Sequence, residues 1–134
     1  MRCLDPPESF PLIGTVQNPM FISDGDDLVL CYEVAPVSGG GIAFIRFTDV
    51  SEFSLDGWAN VRALEDASYF ARPWKFSEIK GSPKAGQEPL SRRHWTISFN
   101  DLLLSIVFSK VQLLSHSYDK TSVPDALANY MKAR

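Results

Sequence analysis

From His94 to Phe108 apolar and polar positions alternate with period two, the pattern of strands that bury one face. Trp95, Ile97 and Phe99 alternate with His94, Thr96 and Ser98. Beyond Asn100-Asp101, the run Leu102, Leu104, Ile106, Phe108 alternates with Leu103, Ser105 and Val107. Asn and Asp tolerate the positive φ that a tight turn demands. The segment therefore predicts a β-hairpin turning at Asn100-Asp101. A second hairpin is predicted upstream. Leu28, Leu30, Tyr32 and Val34 share one strand face, the segment 36–41 (PVSGGG) connects, and Ile42–Phe47 returns. Val50–Leu55 predicts a third strand of this half, bounded by the turn signal Asp56-Gly57.

Other stretches carry weaker patterns. Residues 1–11 contain Pro6, Pro7 and Pro11 and predict an irregular arm. In residues 12–22 a short strand is interrupted by Gly14 and Pro19. Trp58, Val61 and Leu64 recur every three residues and favour one or two helical turns. Trp74–Ile79 predicts a strand. Residues 81–90 (GSPKAGQEPL) predict a long loop, and Val111–Ser115 an extension of the strand before it. At the end Ser122 and Asp125 form an S-x-x-D cap with Pro124 in the first turn. Val123, Leu127, Tyr130 and Met131 then line one helical face. The sum is an α+β fold: mostly antiparallel β-sheet, six to eight strands in a sandwich or half-barrel, with a C-terminal helix over 122–134. The chain's 134 residues suit one domain.

Composition narrows the function classes. Hydrophobic content of 45% and charged content of 22% are those of an ordinary globular protein. No stretch approaches the roughly 18 apolar residues of a membrane span. The first residues lack the apolar core of a signal peptide, so a cytoplasmic location is the expectation. Cys3 and Cys31 are too few for a disulfide framework. Cys31, inside an apolar strand, is expected to be a small buried hydrophobe. Net charge is −3, but residues 1–57 carry nine acids against two bases, while residues 58–134 carry seven acids and eleven bases. The bases are scattered, with only Arg92-Arg93 adjacent, which argues against nucleic-acid binding.

The candidate chemistry is sparse. Asp24-Gly25-Asp26-Asp27 has the look of a calcium loop, but the twelfth position is Ala35 where a Glu is required. His94 and His116 are the two histidines, placed at opposite ends of the hairpin predicted over 94–108 and its extension, and without a third metal ligand. Neither a G-x-S-x-G elbow nor a phosphate-binding glycine motif occurs, so Ser38–Gly41 is expected to be a flexible loop. No catalytic residue, metal or cofactor is assigned. The most suggestive cluster is aromatic and basic: Trp58, Tyr69, Arg72, Trp74 and Lys75, with Phe70 and Phe76. Such residues more often line a core, and otherwise form a binding hot spot. Trp58, Tyr69, Arg72, Trp74, Lys75 and His94 are the candidate binding residues.

Several pieces, taken in order, resemble a loose family of small uncharacterised bacterial β-rich proteins. They are Ile45-Arg46-Phe47 through Val50, Asp56-Gly57, Pro73-Trp74, and the run His94 to Asp101 (HWTISFND). The chain departs from that pattern at the Gly turn, where the usual following Pro and Asn are missing. The resemblance implies a fold type and no reaction.

Three readings remain open. The first is a non-enzymatic protein-interaction module with an unidentified protein partner, in its sharper form an immunity-type neutraliser of a toxin. The second is a small-ligand-binding domain with a pocket lined by the aromatic cluster. The third is an enzyme of unidentified class, which requires a histidine within about 3 Å of a carboxylate or serine. A homodimer through an open strand edge is compatible with the first.

Overall fold

The computed structural model describes residues 6–57, 76–79, 92–99 and 102–133. Among them, eight strands form two antiparallel four-stranded sheets. The strands are β1 (Met20–Asp24), β2 (Asp27–Glu33), β3 (Ile42–Thr48), β4 (Glu52–Gly57), β5 (Phe76–Glu78), β6 (Arg93–Ser98), β7 (Leu102–Phe108) and β8 (Lys110–Ser117). The first sheet has the order β1-β2-β3-β8 and the second β4-β7-β6-β5. Helix α1 (Val123–Lys132) closes the chain. The predicted α+β architecture is the observed one, as an open sandwich.

Both predicted hairpins form. β6 and β7 pair from Arg93↔Phe108 to Ser98↔Leu103. β2 and β3 pair from Leu28↔Phe47 to Glu33↔Ile42. The 36–41 connection is more ordered than its composition predicts. It makes a 3₁₀ turn at Pro36–Ser38 and then runs through three left-handed glycines. A Cβ on Gly39 would stand 2.5 Å from the Tyr118 ring, and one on Gly41 would strike the Ser117 carbonyl. These glycines are therefore required by close approach as well as by φ.

One expectation is corrected. Val111–Ser115 does not extend the hairpin's second strand. The chain breaks at Ser109, and β8 leaves to join the other sheet beside β3. The Ser109 N–H donates to the Thr48 carbonyl at 3.0 Å, and the Ser51 N–H to the Val107 carbonyl at 2.9 Å. The β3–β8 ladder thus turns a corner and continues as the β4–β7 ladder. Asp49 sits at that corner with φ +57°, the one positive φ outside glycine among the described residues. Its N–H donates to Asp27 Oδ1 at 2.9 Å, and its Oδ2 accepts from Ser109 Oγ at 2.9 Å and Arg92 Nη2 at 3.1 Å. Three anchoring groups hold a conformation that an L-residue adopts at a cost.

The main core lies between the sheets and centres on Trp95. Its ring meets Phe10, Phe47, Phe76 and Phe108 at centroid distances of 5.4–5.7 Å. Phe10 shows that the arm is not wholly irregular, because its end is inserted into this core. Glu78 accepts the Trp95 indole N–H at 3.3 Å and pairs with Arg93 at 2.7 Å. Arg93 in turn lies over the Trp95 and Phe108 rings.

The outer faces are less wet than simple alternation predicts. On the first sheet, Val29, Cys31, Ile42 and Phe44 are covered by Val123 and Leu127 of α1. Tyr130 stacks on Phe44 at 4.9 Å. Met131, expected on the same helical face, is exposed, and Ala126 packs in its stead. On the second sheet, Thr96, Ser98, Leu103 and Val107 are buried as well. Ser122 caps α1, its Oγ accepting the Asp125 N–H at 3.1 Å, as the S-x-x-D motif predicts.

If Trp95 is the keystone, Trp95→Ala lowers stability by about 3–5 kcal/mol, while Met131→Ala stays within about 0.5 kcal/mol of the parent. Urea unfolding followed by circular dichroism checks both. A Trp95→Ala loss under about 1 kcal/mol contradicts this assignment.

Candidate functional site

Of the six candidate binding residues, Trp58, Tyr69, Arg72, Trp74 and Lys75 lie outside the described residues. The sixth, His94, sits on the outer face of β6 with Nε2 2.8 Å from Ser105 Oγ. Phe76, from the same aromatic cluster, belongs to the inter-sheet core.

The His94–Ser105 distance meets the requirement for a base beside a nucleophile. The surroundings supply less. Ser105 occupies a row of hydroxyls running Ser77, Thr96, Ser105, Ser54 across the four strands. It lies on β7, which pairs on both sides, so the neighbouring strand amides are spent in the ladder instead of forming an oxyanion cradle. His116 is not near this pair in the fold, because β8 lies in the other sheet. Its Nε2 contacts the Gly40 carbonyl at 2.7 Å and its ring stacks on Tyr118 at 4.1 Å. A carbonyl only accepts, so Nε2 carries the proton. His116 fastens the glycine connection.

The acidic turn is likewise a structural device. Arg46 donates to Asp27 Oδ2 through Nε at 2.9 Å and Nη2 at 2.6 Å, and to Asp24 Oδ2 at 3.0 Å. No group of three or more potential ligands that could hold a metal occurs among the described residues. The Asp49 backbone N–H, and then the Arg46 guanidinium, hold the Asp27 carboxyl below its ordinary range. Cys31 is a buried free thiol. Burial pushes it up from 9.0 to about 12.

Two surface features stand out against this satisfied interior. The first is the edge of β4. Among the described residues β4 pairs on one side only. Phe53 is 39% exposed and Leu55 42%, on alternate positions of the strand, and Glu52 is exposed as well. The other edges are guarded in familiar ways. β5 has three residues, β1 follows Pro19, and β8 begins at Lys110 and carries a bulge opposite Phe44/Ile45. The second feature is a cleft beside Glu33, where loop 14–17, the glycine connection and the approach to α1 meet. Sequence reasoning missed both. Alternation does not distinguish an edge strand from a central one. The only signal at Glu33 is an acid ending an otherwise apolar run.

A scan against protein-family models, a search of curated proteins and a search of solved structures each returned no match to this chain. Among the described residues, no helix is long and apolar enough to cross a membrane.

Two outcomes follow from the polar network and the thiol. Because the Asp27 carboxyl titrates lower when folded, its stabilisation is whole above the unfolded value of about 3.9 and is lost as pH falls through the folded value. Asp27→Asn therefore lowers the melting temperature at pH 7, and the gap to the parent closes below about pH 4. An unchanged gap down to pH 2.5 contradicts the pairing. In a Cys3→Ser background, Cys31 is inert to a disulfide reagent at pH 8 until urea unfolds the chain. Rapid reaction of the folded protein contradicts its burial.

Proposed function

We propose that this protein is a non-enzymatic protein-interaction module whose β4 edge accepts an extended segment of a basic partner protein. The observation that carries the reading is the β4 edge, unpaired among the described residues, with exposed Phe53 and Leu55. An edge strand offers an unpaired row of backbone donors and acceptors. A peptide laid along it gains ladder hydrogen bonds, while alternate side chains supply specificity. Apolar residues of the incoming segment would meet Phe53 and Leu55.

Charge selects the sign of the partner. The strand carries Glu52 and Asp56, and residues 1–57 carry nine acids against two bases. Antiparallel pairing of two β4 strands about Ser54 would set position 52 opposite position 56, acid against acid, which is destabilising. The acidic balance of residues 1–57 favours a basic incoming segment. This favours a foreign chain over a second copy. Neutralisation of a basic toxin by an immunity-type protein is the sharper form of this reading.

The test is native mass spectrometry of the tagged full chain captured from its own cells. The expected result is a stoichiometric basic protein that is retained by Leu113→Lys, on the guarded β8 edge, and lost at least tenfold with Leu55→Lys. Leu55→Lys must keep the parent's circular dichroism spectrum. Failure to find a partner, a homodimer alone, or a partner indifferent to Leu55→Lys overturns the proposal.

A further inference from the structure

Glu33 ends β2 and turns its carboxylate toward loop 14–17. Oε1 accepts the Val16 N–H at 2.9 Å and the Gln17 N–H at 3.2 Å, and Oε2 accepts Gln17 Nε2 at 3.3 Å. All three donors are neutral. Among the described residues Glu33 forms no ion pair, although it is half-buried. The other half-buried charges described above are paired: Arg46 with Asp24 and Asp27, and Arg93 with Glu78. A partly desolvated carboxylate without a counter-charge costs stability.

The position is nonetheless held firmly. Gln17 Oε1 accepts the Val123 N–H at 2.7 Å, and its Nε2 also reaches the Thr121 carbonyl at 3.4 Å. Gly14 permits the close fit, since a Cβ there would stand 2.6 Å from Glu33 Oε1. Three segments, β2, loop 14–17 and the approach to α1, thus fix one carboxylate at the wall of a cleft of about 360 Å³. Lys120 lines the same cleft, and no hydrogen bond or ion pair engages it among the described residues. Val16, Val34 and Pro36 add apolar wall.

A fixed anion, a free cation on a long stem and an apolar wall around one small cleft make a receptor for a zwitterion. From this arrangement we infer that the cleft binds a free α-amino acid with an aliphatic side chain. Its ammonium pairs with Glu33, its carboxylate with Lys120, and its side chain lies against Val16, Val34 and Pro36. The volume lies at the small end of ligand sites. Phosphorylated ligands are disfavoured, because Glu33 would face their added negative charge. This site is separate from the β4 edge and does not depend on the partner reading.

The test uses the full chain, ¹⁵N-labelled, titrated with L-leucine and with its two halves, 3-methylbutylamine and 4-methylpentanoate. Leucine is expected to shift the amide signals of Val16, Gln17, Gly40 and Gly41 saturably. Each half should bind at least about tenfold more weakly, the loss that about 1.4 kcal/mol of one ionic contact represents. Lys120→Ala, an exposed change that leaves the fold intact, is expected to weaken leucine about tenfold and leave 3-methylbutylamine unchanged. Glu33→Gln, which keeps the oxygen that accepts the loop amides, is expected to abolish binding of both. No saturable shift at 20 mM leucine, equal binding of the two halves and leucine, or indifference to Lys120→Ala overturns the inference.

Discussion

The packing of four phenylalanines around Trp95 is the constraint from which the rest of the molecule follows. Phe10 comes from the arm, Phe47 from the first sheet, and Phe76 and Phe108 from the second. Edge-to-face aromatic pairs add directional attraction to burial, so they fix how the sheets sit as well as that they meet. A buried indole N–H needs an acceptor, which Glu78 provides. The acceptor's charge needs a partner in turn, and Arg93 provides that while covering the rings. Among the described residues, the side chains between the sheets form one buried apolar cluster.

A second constraint operates at the corner where one sheet hands over to the other. Asp49 adopts a left-handed conformation there, and Asp27, Ser109 and Arg92 hold it. The acidic turn that looks like an ion site is part of this clasp. The fold spends Asp24, Asp27, Arg46, Asp49 and Arg92 on its own geometry. Set beside them, the uncompensated Glu33 and the unengaged Lys120 are conspicuous. Leaving the half-buried Glu33 without a counter-charge costs the fold some stability, while the exposed Lys120 costs it little. Both are left available to a ligand.

Much of the architecture was legible because local signals agree with one another. The 94–108 alternation, the Leu28–Val34 face and the Ser122 cap each point to an element that forms. Other features depend on contacts that no local window contains. Alternation assigns one buried face per strand, but α1 covers the second face of β2 and β3, so Val29 and Cys31 are buried too. The departure of β8 to the other sheet depends on the corner at Asp49, some sixty residues earlier. Glu33 reads as a polar strand end until Gln17 and the approach to α1 are folded against it. The histidines were separable only in three dimensions, since β6 and β8 belong to different sheets. Five of the six residues picked for binding by composition lie outside the described residues, so the functional argument rests on positions that composition did not mark.

Two features are central: an interior built on Trp95 and a β4 edge that is unpaired among the described residues and is proposed to take a partner. Amide hydrogen exchange of the isolated full chain reads both at once. The Trp95 indole N–H and the amides of β6 and β7 are predicted to exchange only through global unfolding, with the outward-facing amides of β4 exchanging many times faster. Equal protection on β4 and β7 would mean that the edge is already occupied, and rapid exchange at Trp95 that the core is not the keystone. Either result would overturn this picture of the molecule.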